Sequence, residues 1–193
     1  MFKQKVDTTY FATGLVGNFQ AADRNWYWDV NGMYSKNKAE QTNYGSYNIY
    51  NVNMALGDPA ICAATPGCVP LNIFGGVGSI TPDMLKWIQP VVRDRSQNEL
   101  SLFTANLSSE LFTLPAGPVS FATGVEHRRY KGSYQPDPLT VAGHYNGVPS
   151  QPTSGSYDVN EAYLELSVPI FADSSFGKKL DLSLAGRYSD YST

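Results

Sequence analysis

Residues 179–191 read KLDLSLAGRYSDY. Leu180, Leu182, Leu184, Gly186 and Tyr188 fall on one side of a two-residue period. Asp181, Ser183, Ala185, Arg187 and Ser189 fall on the other. Successive side chains of a strand point to opposite faces, whereas a helix of period 3.6 would mix the two sets. The stretch is therefore a strand with one apolar and one polar face. The same alternation recurs upstream. In NEAYLELSVPI (160–170), Ala162, Leu164, Leu166, Val168 and Ile170 oppose Tyr163, Glu165 and Ser167. In VSFATGVEHRRY (119–130), Val119, Phe121, Thr123 and Val125 oppose Ser120, Ala122, Gly124, Glu126 and Arg128. In WYWDVNGMY (26–34), Trp26, Trp28, Val30, Gly32 and Tyr34 share a face. Residues 10–19 and 98–112 follow the pattern less cleanly. About six strands are expected, most of them near the 9–11 residues that a tilted strand needs to cross a bilayer.

The connections alternate in length. Residues 20–25, 114–118 (LPAGP) and 172–179 are short, while 41–97 and 135–158 are long. Outer-membrane barrels have short periplasmic turns and longer extracellular loops, and a compact soluble domain rarely carries two long irregular connections. The fold expected is all-β: a segment of an antiparallel up-and-down transmembrane β-barrel, about six strands in an open sheet. Residues 41–97 would be one long extracellular loop and 135–158 the second. The even-numbered strands then run outward, which puts Tyr188 and Tyr191 near an outer interface and Trp26 and Trp28 near an inner one, where aromatic girdles belong.

This assigns the two faces. Leu164, Leu166, Leu180, Leu182 and Leu184 would face lipid. Glu126, Arg128, Glu165, Asp181 and Arg187 would face the lumen, where opposite charges can pair across strands. On the lipid side an Arg or Lys would cost about 2–4 kcal/mol at the midplane. An ion-pair ladder against a plug is the expected role of these charges, ahead of direct solute binding.

Composition is compatible with this reading. Charged residues make up 16% of the chain, against roughly 25% for soluble domains. The deficit is taken up by 13 Tyr, 17 Gly and small polar residues, a mixture that suits strands with one lipid face and one wet face, although soluble all-β proteins can share it. The net charge of −3 argues against a nucleic-acid surface, and the cluster His127-Arg128-Arg129, with Lys131, reads as a hydrated strand end. There is no apolar run of about 18 residues, so no transmembrane helix is expected. The opening MFKQKVD lacks the apolar region of a signal peptide. An exported protein would need such a segment, so either the true start lies upstream or the chain is not exported.

Cys62 and Cys68 sit in ICAATPGCVP, with the turn signal Pro66-Gly67 before the second. Their spacing excludes a redox CxxC, and a zinc site would need ligands that the distant His127 and His144 do not offer. In an oxidising compartment they form a loop disulfide; in a reducing one they stay two thiols. In SITPDMLKWIQPV (79–91), Thr81-Pro82 reads as a helix cap followed by proline at the first helical position. The two turns that follow would pack the loop or contact a ligand. Gly75-Gly76-Val77-Gly78 lacks the Lys-Ser/Thr of a phosphate loop. Asp137, between prolines, is expected to face solvent rather than a ligand. No nucleophile, base and acid come together in a motif, so no enzyme activity, cofactor or metal is expected.

Five stretches carry a family resemblance. CVPLNIFG (68–75) followed by SITPDML (79–85) resembles an extracellular loop of TonB-dependent receptors. LFTLPAGPVSFATGVEHRR (111–129) resembles their strand–turn–strand unit, with its Leu-Pro-Ala-Gly-Pro turn and Gly-x-Glu-x-Arg ending. YDVNEAYLELSVPI (157–170) and LAGRYSDYS (184–192) resemble the two strands that follow. The resemblance covers about residues 15–193, and the order and spacing of the motifs make it more specific than any one of them. It implies a cell outer-membrane barrel of roughly 22 strands with a plugged lumen. It also implies the partners of such a receptor: outer-membrane lipid, an extracellular small solute, and the TonB energy-transducing system acting through a plug domain. Neither the plug, the TonB box nor the closing C-terminal strand has a counterpart here, so the chain is expected to be an incomplete stretch that does not close or transport alone. The solute could be an iron chelate, an oligosaccharide, a cobalamin-like molecule or a plant-derived compound. Two other readings remain: a segment of a passive outer-membrane porin, and a soluble β-sandwich binding module in which the Leu180–Tyr188 stripe faces a second sheet.

Overall fold

The structure, a computed structural model, describes residues 1–175 and 177–192. Six strands form one open antiparallel sheet in the order β1-β2-β3-β4-β5-β6. They are β1 (Phe2–Ala21), β2 (Arg24–Asn43), β3 (Val92–Leu114), β4 (Gly117–Gln135), β5 (Thr153–Ser174) and β6 (Gly177–Tyr191). Each strand pairs with its neighbour in sequence, so every connection is a hairpin and the topology is up-and-down. The packed pair of sheets that a sandwich needs is absent among the described residues. No helix is long and apolar enough to cross a membrane.

The connections show why the sheet takes this order. Only Ala22 and Asp23 separate β1 from β2, both with positive φ (52° and 58°). Two left-handed residues make the turn whose twist matches that of the flanking strands. Pro115-Ala116 joins β3 to β4, and Gly117 follows with a φ of 137°, a conformation that L side chains rarely adopt. Between β5 and β6, the expected connection over 172–179 contains Phe176, which lies outside the described residues, as does Thr193. The long connections carry four short helices: α1 (Ile49–Leu56), α2 (Pro59–Ala64) and α3 (Pro82–Ile88) in the first, α4 (Pro138–Val141) in the second.

The strands exceed the expected length, running from 15 residues in β6 to 23 in β3. The loops shrink accordingly, to residues 44–91 and 136–152. The cause is visible in NKAEQTN (37–43), the far end of β2. Both of its faces are polar, so the contrast that marks a strand in sequence is lost while the backbone ladder continues.

The register of β5 and β6 shows which residues share a face. Leu164 lies opposite Gly186, Leu166 opposite Leu184, and Val168 opposite Leu182. On the other face, Glu161 lies opposite Ser189, Tyr163 opposite Arg187, and Pro169 opposite Asp181. The register then slips, and Phe171 pairs with Leu180, leaving Ile170 as the extra residue of a bulge. Proline cannot donate to the ladder and is tolerated in a strand at such an irregularity.

The chain divides into two compact units. A loop unit comprises Met1–Asp7, Asn37–Gln97 and Gly132–Ser154. A strand unit comprises Thr8–Lys36, Asn98–Lys131 and Gly155–Thr193. In the loop unit the buried apolar side chains include Ala55, Cys62, Ile88 and Val92; in the strand unit they include Val119, Val159 and Pro169.

Candidate functional site

The strand unit carries a polar network that crosses five strands on one sheet face. Its centre is Glu161 of β5, whose side chain is 5% exposed. Arg128 Nη2 of β4 donates to Glu161 Oε1 at 3.3 Å, and Ser189 Oγ of β6 donates to the same oxygen at 2.7 Å. Arg187 Nη1 donates to Oε2 at 3.5 Å. Arg128 also donates through Nη1 to Glu126 Oε1 at 2.6 Å. A buried carboxylate is costly unless its lone pairs are met, and here two guanidinium groups and a hydroxyl meet them.

The network continues away from Glu161. The Arg187 guanidinium lies 5.7 Å from the centroid of the Tyr163 ring, within cation–π range. Tyr163 OH donates to Asn106 Oδ1 on β3 at 2.9 Å. To do so its ring crosses β4 at Gly124, where an added Cβ would collide with both the ring and the Asn106 side chain. Glycine is required at this position by close approach. Asn106 Nδ2 donates to Asp29 Oδ2 on β2 at 2.8 Å, and Asn31 Nδ2 donates to that same oxygen at 2.6 Å.

Of the five charges expected on one face, Glu126, Arg128 and Arg187 converge on this network. Asp181 pairs instead with Lys179 at 2.9 Å. Glu165 borders a depression of about 320 Å³ among Ser108, Ser120, Ser167 and Ser183. Sequence reasoning passed over Glu161, the residue that joins the others, and also Tyr163, Asn106 and Asp29. Parity alone puts Glu161 on the face of Tyr163 and Glu165; burial is what singles it out. In the run expected to be a hydrated strand end, His127 and Arg129 are exposed, and His127, Arg128 and Arg129 each have a partner. His127 Nδ1 lies 2.7 Å from Asn160 Oδ1, and Arg129 pairs with Asp158 at 3.5 Å.

On the opposite face of the strand unit, large apolar side chains are exposed: Leu164, Leu180, Leu182, Leu184, Val125, Phe103 and Tyr188, with Leu184 at 52%. Leu166 is half-buried. Near the short turns the ring of Phe19 stacks on Trp26 at 6.2 Å, and Trp26 meets Phe121 edge-on at 6.3 Å. This is an aromatic cluster with a polar end, since Trp26 Nε1 donates to Ala21 O at 3.2 Å.

The loop unit is held by local bonds. Cys62 and Cys68 form a disulfide with a Cα separation of 5.3 Å. Asn48, Asp58 and Thr81 cap α1, α2 and α3 through their side-chain oxygens. The caps of α1 and α2 are legible signals, an Asn before an apolar stretch and an Asp-Pro pair, that sequence reasoning did not use. Asn51 Nδ2 donates to Trp87 O at 2.8 Å and Trp87 Nε1 donates to Asn51 O at 3.2 Å, which ties α3 to α1. Asn48 N donates to Ile88 O at 2.8 Å. Asp137, expected to face solvent, is a backbone acceptor: Oδ2 takes Arg93 N at 3.0 Å and Oδ1 takes Leu139 N at 3.0 Å. A residue between two prolines has few neighbouring N–H groups, so its carboxylate finds donors on β3 and at the start of α4. No group of three or more potential metal ligands occurs among the described residues. Comparison with protein-family models finds no match, and no curated protein is similar to the chain.

Proposed function

We propose that this chain is a stretch of the barrel wall of a TonB-dependent receptor in the cell outer membrane, serving energised uptake of a scarce solute. The observation that carries this reading is the strand unit's pair of unlike faces. One exposes leucines and aromatic rings to the surroundings; the other carries Glu161, its two arginines and the amide–carboxylate chain to Asp29. A single sheet with an uncovered apolar face has no stable place in water, since that face must be removed from it. Lipid on one side and a wet lumen on the other satisfy both. The outer sides of β1 and β6 have no pairing strand among the described residues, and unpaired edges are not tolerated in hydrocarbon. In this reading further strands complete the wall. The TonB-dependent assignment itself rests on the motif resemblance and on the long, disulfide-closed loop.

The lipid-facing part is tested on the full chain folded in phosphocholine micelles. A spin label dissolved in the micelle should broaden the methyl signals of Leu164, Leu182 and Leu184. A water-soluble gadolinium chelate should broaden Ser183 and Ala185 instead. Leucines protected from both agents, as in a water-excluded protein core, would overturn the reading. The energised part is tested in the DNA upstream of the coding region, where an in-frame plug and TonB box are expected. A stop codon with neither would leave a passive barrel.

A further inference from the structure

The strand unit has a depression of about 580 Å³ on the polar face, lined by Asn18, Tyr27, Asp29, Asn106, Ser108 and Tyr163 among others. We infer that it is a subsite for a neutral carbohydrate, one that the solute occupies as it passes along the wall; this rests on the proposed membrane-wall reading. Asp29 is the single charged residue in the lining. Its Oδ2 takes both amide donors, Asn31 and Asn106. These bonds hold the carboxylate plane still, and Oδ1 accepts no hydrogen bond among the described residues. Beside it, Asn18 and Ser108 offer neutral groups that both donate and accept. Hydroxyls of a sugar also do both, so they can satisfy such a lining in either direction. A cation would use only the acceptors of this lining, and an anion would meet the Asp29 charge with no cation in the lining to offset it.

The second element is aromatic. Tyr27 is 54% exposed and borders the same depression. Its ring has a flat apolar surface on which the C–H face of a pyranose can lie while the hydroxyls reach Asp29 and the amides. A size of 580 Å³ lies within the range of small-molecule sites and holds more than one sugar ring.

The test uses the full chain in phosphocholine micelles, which carry no sugar headgroup, titrated calorimetrically with maltotriose, cellotriose and xylotriose, and with choline and citrate as the charged probes. Binding of at least one trisaccharide is expected, with none of choline or citrate. Asp29→Asn should weaken that binding about tenfold or more, as expected for loss of a hydrogen bond to a charged group. Tyr27→Ala should weaken it similarly, and because Tyr27 is more than half exposed its loss leaves the sheet intact; the spectrum of the variant serves as the check. No binding of any trisaccharide, binding that both variants leave unchanged, or tighter binding of choline or citrate would each overturn the subsite. The micelle-label experiment on the same sample separates the two readings. Sugar binding without lipid contact at Leu184 would keep the subsite and remove the wall; lipid contact without sugar binding would do the reverse.

Discussion

The loop unit and the strand unit are built on opposite economies. The loop unit folds around its own small core of Ala55, Cys62, Ile88 and Val92, and closes its irregular backbone with caps, a disulfide and the Asn51–Trp87 pair. The strand unit buries Val119, Val159 and Pro169 among its described residues, and its most buried charge, Glu161, is met by two arginines. One carries its stabilising contacts within itself. The other satisfies its polar face through the network around Glu161 and leaves the leucines of its opposite face exposed. Such a sheet is specified by its environment as much as by its contacts.

The largest effect expected falls on the apolar face. In the complete barrel reconstituted in liposomes, Leu184→Arg should cost about 2–4 kcal/mol if Leu184 lies near the midplane. Ser183→Arg, one residue away on the polar face, should cost less than about 1 kcal/mol. Urea unfolding compares the two, and equal costs would break the contrast between the faces. Removing the buried carboxylate comes next. Glu161→Ala should cost about 2–3 kcal/mol, below the full penalty for breaking a buried pair because Arg187 is more than half exposed. Adding Arg128→Met should recover part of the loss, since it removes a cation left without its partner; no recovery would show that Glu161 acts through packing alone.

Effects in the loop unit should be smaller and local. Cys62→Ser opens a short loop, with a chain-entropy cost of about 2 kcal/mol. Hydrogen exchange should speed up at α2 (Pro59–Ala64) and stay unchanged at the β5–β6 pairing, because α2 belongs to the loop unit and that pairing to the strand unit. Faster exchange along β6 would show that the units are coupled. The smallest change is Thr81→Ala, which removes the cap of α3 for about 1 kcal/mol. The Thr81 Oγ1 acceptor lies 3.4 Å from Met84 N, a long bond, so the loss should be read as faster exchange confined to α3.

Much of this architecture could be read before any coordinates. Alternation from Leu180 to Ser189 separates two faces that the β5–β6 register keeps apart, and the short and long connections imply the up-and-down order. Thr81-Pro82 announces α3 by the chemistry of its first turn. These are local signals, set by a period or a cap. The added strand length was not legible, because segments polar on both faces have no period to detect. The bulge at Ile170 was hidden for a related reason: proline marks an irregularity without saying where the register slips.

The polar network belongs to tertiary structure. Its members come from β2, β3, β4, β5 and β6, and no sequence spacing links Asp29 to Asn106 or Asn106 to Tyr163. By itself the sequence determined which residues share a strand face, since that depends on parity within one segment. Only the packing of strand against strand decided which polar groups meet, because the stagger between neighbours sets those distances. Gly124 shows the difference: in sequence it is one more small residue on a polar face, and in the folded sheet it is the gap through which Tyr163 reaches Asn106.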